Sequence, residues 1–342
     1  CPGAGRPSVP LGTVVPYTPL PTGGGIVPTA IKDAMNNSCI SFDFTGKFLP
    51  PVYILVFITG MVANGLGLRS VLQKWEKLGN VSVFVFNLGL ADILYLLTLP
   101  FLMVYYFKGD QWIFGEAFCK TTRFFFNLNL YGSIGFLTCI SVYRYLAIVH
   151  PMRMMGRITV THSVAISVMV WLLVSVQSLP DMFVPKSPIN NTKKCFDTTS
   201  EKYIEDYLKY SLGRTLTGFC IPLFITLSCY GHMIAVLCHN DNIDEVLKQR
   251  SLKLLFILIL LFSVCYIPYH ILKNLNLLSR LSVIKGTCHK CRGLVCLNSA
   301  LNPLVYLHVS EDVCSQLRQL LQQARQAVTS LYTSNQTSVT DT

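Results

Sequence analysis

The sequence predicts an all-α membrane protein, a seven-transmembrane helix bundle with a short amphipathic eighth helix. The chain has 342 residues, of which 51% are hydrophobic and only 13% are charged, whereas about a quarter of the residues of a soluble domain are charged. Seven apolar stretches approach the length of about 20 residues that crosses a bilayer. So many in one chain argue against buried helices of a large soluble protein. The predicted spans are 51–72, 82–106, 118–147, 163–184, 208–237, 251–275 and 291–308.

The chain is expected to comprise three regions. Residues 1–48 are rich in Pro, Gly, Thr and Val without sustained periodicity, so we expect a mostly disordered extracellular N-terminal arm. Residues 49–308 form the transmembrane body. Within residues 309–342, Ser310 can cap a helix of about 311–328. That helix has apolar residues on one side and Arg on the other, as expected on a membrane surface, and a cytoplasmic tail follows it.

The charge distribution excludes one class of partner and leaves the orientation open. The formal charge is +11 at pH 7, but the basic residues are scattered over short loops, so nucleic acid is not an expected partner. Basic residues are also about as frequent in the loops of one side as in those of the other, so the positive-inside rule does not decide. Glycosylation sequons begin at Asn36 and Asn190, both on one predicted side. We therefore predict a multi-pass plasma-membrane protein with an extracellular N-terminus.

Cations within the apolar segments point to an anionic ligand. Four basic residues lie within or at the outer edge of these segments, and Asp92 is the only acid that we expect deep in any of them. Charges at membrane depth are costly, so they usually face a wet cavity and mark function. For those nearest the boundary, the alternative is a side chain that reaches headgroups or water. The four cations are Arg123, Arg214, Lys273 and Arg292.

Each span also carries a polar residue or a proline, and their order is specific. Any one of them alone is ordinary, because neighbouring helices can satisfy the polar groups. Asp92 in the second span together with Asn302-Pro-x-x-Tyr306 in the seventh is far more restrictive. The other marks are Gly60, Asn64, Asn87, Tyr143-Arg144-Tyr145, Trp171, Pro180, Pro222, Tyr230, Cys265-Tyr-Ile-Pro268, Asn298 and Ser299.

At these residues the chain resembles the rhodopsin-like G-protein-coupled receptors, from residue 49 to about 325. Within that family it is similar to the purinergic nucleotide receptors, which answer to extracellular ADP and ATP. This resemblance implies seven helices, an eighth on the inner membrane face, and guanine-nucleotide exchange on a G protein. The stretches that carry it are Leu97–Pro100, Trp112–Gly115, Asn129–Ser133, Phe136–Ser141, Cys195–Ser200 and Tyr266–Lys273.

The resemblance implies a nucleotide site at the outer end of the bundle. A phosphate chain needs convergent cations, and the planar fork of Arg matches its oxygens. Tyr131 and Tyr105 can supply a hydroxyl or a ring for the base. Arg214 matches no family position; it either extends the anion site or pairs with Asp181 or Glu116. The other implied ligand-binding residues are Arg123, His270, Lys273, Asn276, Arg280 and Arg292.

The resemblance also implies two disulfides. Cys119 and Cys195 match the pair that fixes the second outer loop over the pocket. Cys39 matches an N-terminal cysteine that is tied to the last outer loop, where both Cys288 and Cys291 are candidates. Cys288 is preferred, because Cys291 lies at the start of the seventh helix.

The implied activation switch lies toward the inner end. Asp92 with Asn64, Asn298, Ser299 and Asn302 would line a polar cavity that binds sodium in the wider family, or else holds water. Arg144 matches the arginine that restrains the inactive state, but Tyr143 replaces its usual acidic neighbour. Pro268 and Tyr306 can repack during switching. Cys314 on the surface helix is a palmitoylation candidate.

We therefore expect a receptor for ADP or ATP that activates a Gq-class G protein, with phospholipase C and calcium downstream. Arrestin and the lipid bilayer are further expected partners, and no cofactor or other metal is expected. One alternative is a receptor for a carboxylate metabolite such as succinate. A more distant one is an anion transporter, although paired repeats and broken midplane helices are not evident. No nucleophile–base pair or metal set suggests an enzyme.

Overall fold

The computed structural model describes most of the helical body. Side chains of residues 29–48, and of several positions in the later helices, lie outside its described part. The chain divides into two compact units, Cys1–Asp43 and Phe44–Thr342, and only the backbone of residues 29–43 is described in the first. The described ranges are 29–73, 79–154, 158–183, 195–196, 203–239, 245–281 and 289–305, with residues 322 and 326.

The described residues form helices and connections, without a strand, which confirms the all-α prediction. Two π-helical turns interrupt the helices, at Leu216–Cys220 and Phe262–Tyr266. The α-helices are α1 (Thr29–Gln73), α2 (Asn80–Leu96), α3 (Leu99–Phe107), α4 (Glu116–Val149), α5 (Pro151–Met154), α6 (Val160–Ser178), α7 (Pro180–Phe183), α8 (Ile204–Thr215), α9 (Ile221–His239), α10 (Glu245–Leu261), α11 (Ile267–Leu281) and α12 (His289–Leu301).

Six helical stretches are long and apolar enough to cross a membrane, and a seventh is shorter. Each lies within a few residues of a span predicted from hydropathy. The expected surface helix, 311–328, falls almost wholly outside the described residues. The six stretches are Leu49–Gln73, Asn80–Phe107, Glu116–Val149, Val160–Phe183, Ile204–His239 and Ser251–Leu275, and the shorter one is Val295–Val305.

The first helix begins at Thr29, whereas the sequence predicted irregular structure up to residue 48. The proline- and glycine-rich segment of the arm ends at Pro28, and no further proline occurs before Pro50. Proline is the residue least compatible with a helix interior, so its absence from this stretch permits a helical backbone. The expected boundary between arm and body remains a prediction.

Prolines lie at or near the breaks in three of the helical stretches. Pro180 separates α6 from α7, and the short α7 carries Asp181 into the bundle. Each π-helical turn ends two residues before a proline, at Pro222 and Pro268. A proline ring clashes with the carbonyl one turn earlier in a regular α-helix. A widened turn relieves this clash, and such turns are frequent at functional sites.

Helix α4 lies at the centre of the bundle and packs against α2, α6, α7 and α9. Arg123, Asn127 and Tyr131 repeat every four residues, so they share one face of this helix. Asn129 and Ser133 lie on a different face. All five are buried, so α4 carries two separate sets of buried polar side chains on different faces.

Candidate ligand-binding site

Asp181 is the centre of a buried ionic cluster. Its carboxylate accepts hydrogen bonds from Asn127 Nδ2 at 2.6 Å and Tyr207 Oη at 2.7 Å, and forms an ion pair with Arg214 Nη1. Arg123 donates to the backbone carbonyl of Asp181. The Arg214 and Asp181 side chains are only 1% and 7% exposed. This cluster therefore connects α4, α7 and α8 away from solvent.

The cluster shows that one prediction about buried acids was wrong, and it shows which carboxylate pairs with Arg214. Asp92 was expected to be the only acid deep in a span, but Asp181 is also buried. The reason is the break at Pro180, which turns the last residues of the fourth span inward. Of the two carboxylates proposed for Arg214, it is Asp181 that forms the pair. Glu116 instead forms an ion pair with Lys120 on the surface of α4, at 2.7 Å.

The Arg214 guanidinium is held between two aromatic rings. Its Cζ lies 4.8 Å from the ring centroid of Tyr210 and 5.1 Å from that of Tyr131. Nη1 also donates to Tyr210 Oη at 3.0 Å. The two remaining nitrogens, Nε and Nη2, are buried and have no hydrogen-bond acceptor among the described residues. The edge of the guanidinium formed by Nε and Nη2 therefore has no hydrogen-bond acceptor among the described residues.

His270 faces the same space from α11. Its ring stacks on Phe219, with centroids 4.4 Å apart, and its Nδ1 lies 3.4 Å from Thr215 Oγ1. Within the described part of the chain, its buried Nε2 has no partner. One turn later, Asn274 donates to Thr215 at 3.1 Å and accepts from Ser211 at 2.9 Å. These bonds join α8 to α11 beside the ionic cluster.

Lys273 adds a third cation. Its Nζ lies 5.9 Å from the ring centroid of Tyr207 and 5.6 Å from that of Tyr269. Since Tyr207 also donates to Asp181, the ammonium group lies near the carboxylate and contributes to the field there. Within this cluster of described side chains, three cations accompany one carboxylate.

Tyr105 lies in an aromatic cluster that includes Phe196. Its ring packs against Tyr106, Trp112 and Phe196, with centroids 5.0, 5.9 and 6.0 Å away. The structure contains the expected disulfide between Cys119 and Cys195, whose Cα atoms are 5.6 Å apart. It ties the segment that carries Phe196 to the start of α4.

Several predicted sites lie outside the described residues and remain predictions. The helical backbone is described, but the side chain is not, for Asn276, Arg280, Arg292, Cys39 and Asn36. Neither backbone nor side chain is described for Cys288, Tyr306, Asn190 and Cys314.

The central polar network forms around Asp92. Asn302 Nδ2 donates to both carboxylate oxygens at 3.0 and 3.1 Å, and Asn129 Nδ2 donates at 2.7 Å. Asn302 also donates to Ser133 at 3.3 Å, and Ser299 donates to Asn129 at 3.3 Å. All five residues are at most 1% exposed. The sequence analysis missed Asn129 and Ser133, although both begin or end a stretch that carried the family resemblance.

The other expected members lie around this core. Asn64 donates to the carbonyl of Ser299 at 2.9 Å, and Tyr266 donates to Asn298. The amide N–H groups point at Asp92, which fits a hydrogen-bonded network. No group of three His, Cys, Asp or Glu side chains that could hold a metal ion occurs among the residues that were described. Sodium binding at Asp92 remains a prediction.

Tyr143, which replaces the acidic residue usual in the family, makes a polar contact. Tyr143 Oη accepts a hydrogen bond from Asn80 Nδ2 at 3.1 Å, and Asn80 also donates to the carbonyl of Ile158 at 2.9 Å. Arg144, the next residue, is half-buried. A neutral contact between α4 and α2 thus lies beside Arg144, whose switch role remains a prediction.

These features define the class of protein. The chain is a multi-pass helical membrane protein with a cation-rich cluster at its disulfide-bonded end and a buried polar network in its middle. Residues 63–306 match the family described as 7 transmembrane receptor (rhodopsin family). The chain therefore belongs to the rhodopsin family of seven-transmembrane, G-protein-coupled receptors. Its members are receptors, in agreement with the prediction that the protein is not an enzyme.

Comparison with individual proteins shows which receptors the chain is similar to. The chain is 39% identical to P2Y purinoceptor 1 of Homo sapiens over 318 residues, which covers 88% of this chain and 85% of that protein. It is 41% identical to P2Y purinoceptor 1 of Gallus gallus over 276 residues, covering 77% and 76%. It is 35% identical to 2-oxoglutarate receptor 1 of Rattus norvegicus over 303 residues, covering 85% and 89%. The predicted resemblance to purinergic receptors is confirmed.

Proposed function

We propose that this protein is a plasma-membrane receptor for an extracellular nucleotide, ADP or ATP. Its N-terminus lies outside the cell, and its inner face activates a heterotrimeric G protein of the Gq class. Phospholipase C and calcium act downstream, and arrestin binds the activated receptor. The similarity to P2Y purinoceptor 1 over most of both chains supports the nucleotide.

The observation that carries the proposal is the convergence of three basic side chains on Asp181. Arg214 forms an ion pair with its carboxylate, Arg123 donates to its backbone carbonyl, and Lys273 contributes to the field there. In the described part of the chain, Nε and Nη2 of the buried Arg214 have no acceptor. A phosphate chain would bring acceptor oxygens, and Arg binds these with charge-assisted hydrogen bonds.

We assign the phosphates to the cations nearest the outer mouth. Arg123 and Lys273 would bind them together with Arg280 and Arg292. Aromatic rings and amides would then orient the rest of the nucleotide. The residues that we assign to this second role are Tyr131, His270, Asn276 and Tyr105.

Transmission to the inner face requires an element with two packings. The ligand must bind the active packing more tightly, because otherwise it shifts no equilibrium. Pro268, beside a π-helical turn, and Tyr306 are the elements that we expect to repack. Asp92 and Asn302 then rearrange within the polar network, and Arg144 meets the G protein.

A dicarboxylate is the second candidate ligand. The 35% identity to 2-oxoglutarate receptor 1 favours it, as does a site rich in Arg and His. Two carboxylates need only two cationic points, whereas a nucleotide also needs a surface for its base. The aromatic rings around Arg214 and His270 support the nucleotide over the smaller ligand.

The test is expression in cells that lack native nucleotide receptors. Calcium release and dissociation of each G-protein class would be measured with ADP, ATP, UTP, succinate and 2-oxoglutarate. We expect a response to ADP or ATP through Gq. Arg292→Ala and Arg123→Ala should abolish it at normal surface expression, while Lys120→Ala, one turn from Arg123 and partly exposed, should respond normally. A response to the dicarboxylates alone would overturn the nucleotide assignment.

A further inference from the structure

We infer that Arg214 and His270 form a second, deeper oxyanion subsite for the terminal anionic group of the ligand. This inference rests on the proposed function and adds to it. The matching group is a terminal phosphate or carboxylate whose molecule also engages Arg123 and Lys273. None of the binding positions implied by the family resemblance corresponds to Arg214.

The hydrogen-bonding state of Arg214 is the first observation. The residue is 3% exposed, and only Nη1 has acceptors, in Asp181 and Tyr210. Nε and Nη2 have none within the described part of the chain. Leaving a buried donor unsatisfied costs about 1–3 kcal/mol, and more for a charged group. Such donors are rare in folded proteins and call for an explanation.

The neighbouring rings do not remove this deficit. Tyr131 and Tyr210 lie about the guanidinium at cation–π distance, which stabilises its charge. A ring face accepts an N–H bond only weakly. The contacts therefore hold the cation in place while its donors stay available.

The geometry of the guanidinium selects the ligand group. Nη1 is used by Asp181, so the available atoms, Nε and Nη2, lie together along one edge. Two parallel N–H groups on one edge match the two oxygens of a carboxylate or phosphate. His270 Nε2, also buried and without a described partner, is a further donor or acceptor beside the same Tyr131 ring, whose centroid is 5.7 Å from that of His270.

The charge of Arg214 also favours an anion. Asp181 engages only Nη1 of this guanidinium. An added oxyanion would bring negative charge to the edge formed by Nε and Nη2, whereas a neutral group would not.

Entry into the subsite requires movement. The Arg214 side chain is 1% exposed, so an anion reaches it only if nearby groups separate. Thr215 and Asn274 bond α8 to α11 at this point. Binding at Arg214 is therefore coupled to a change in the packing of α8 against α11, which gives the ligand different affinities for the two packings.

The experiment compares ligands that differ in their anionic groups. AMP, ADP and ATP share one base, and succinate and 2-oxoglutarate supply carboxylates. The variant Asp181→Asn/Arg214→Gln removes both members of the ion pair together. The quantity compared is the ratio of the potency of the best ligand to that of the next shorter member of its series. We expect this potency ratio to fall about 10- to 100-fold in the variant, as for loss of a charge-assisted hydrogen bond. The matched control is Glu205→Gln/Lys209→Gln, an exposed pair on the same helix, which should keep the wild-type ratio.

A second variant covers the case in which the double substitution fails to reach the surface. Arg214→Lys keeps the charge beside Asp181 but lacks the two-donor edge, so it should also compress the potency ratio. The same ratio can be read from thermal stabilisation of purified receptor by each ligand. An unchanged ratio in the variant that reaches the surface, or an equal loss for every ligand, overturns the subsite. Absence of any wild-type response would instead refute the proposed function.

Discussion

Gly218 leaves the space that the ring of Tyr131 occupies. A Cβ atom built at Gly218 would lie 2.6 Å from Cδ1 and 2.8 Å from Cε1 of Tyr131, closer than real carbon contacts. Gly218 belongs to the π-helical turn that follows α8, and Tyr131 is 2% exposed on α4. The absent side chain therefore allows the ring to lie beside Arg214.

Gly218→Ala should disturb the ligand site without removing any polar group. The ring of Tyr131 would have to shift away from residue 218 and so change its position against the guanidinium, and overpacking of this kind typically costs about 1–3 kcal/mol. We expect weaker agonist potency and a lower melting temperature for the purified receptor. The matched control is Gly213→Ala, since no atom lies within 4 Å of the Cβ position there. Equal behaviour of the two variants would contradict this account.

Asp181→Asn should strongly destabilise the receptor. It leaves the buried Arg214 cation without its carboxylate, and breaking a buried pair on one side costs about 3–5 kcal/mol. Thermal unfolding of the purified protein, followed in detergent, measures the loss. The double variant Asp181→Asn/Arg214→Gln should be more stable than Asp181→Asn alone, because it removes the Arg214 charge together with its carboxylate partner. If the single variant melts at the wild-type temperature, the pair has no structural role.

Asn129→Ala should loosen the central network and raise basal activity. Asp92 would lose the donor that α4 supplies, at 2.7 Å, and the cost is about 1–3 kcal/mol for a bond to a buried charged group. Ligand-independent G-protein dissociation at matched surface expression is the measurement. Ser133→Ala removes the longer 3.3 Å contact with Asn302 and no direct donor to Asp92, so its effect should be smaller. The reverse order would show that Asn129 does not anchor Asp92.

Tyr143→Phe should raise basal signalling from the inner end. The substitution removes the hydroxyl that accepts from Asn80 at 3.1 Å and so removes a polar contact between α4 and α2 beside Arg144. Asn80→Ala should produce a similar rise. A double-mutant cycle provides the control, because two residues that act through one bond should not add their effects. Additive increases would place the two residues in separate mechanisms.

Hydropathy predicted the spans closely, because bilayer crossing depends on length and apolar content rather than on partners. The family resemblance placed Cys119 with Cys195, and it brought Asn302 to Asp92. The contacts of the ionic cluster around Asp181 were harder to predict from the sequence. Arg214 and Asp181 are 33 positions apart, and which acid an arginine faces depends on the rotation of each helix about its axis. Asn127 and Tyr207 were missed for the same reason, since their roles appear only once both helices are placed.

The π-helical turn Leu216–Cys220 has a consequence for the register of this helix. A wide turn holds one more residue than an ordinary turn, and each residue advances a regular helix by about 100°. If the same residues were wound as a regular α-helix, Arg214, which precedes the turn, would be rotated by roughly that angle relative to Tyr230, which follows it. The guanidinium would then point away from Asp181, with no side chain replaced. The direction of this cation is thus encoded by the spacing of the chain as much as by the identity of the residue.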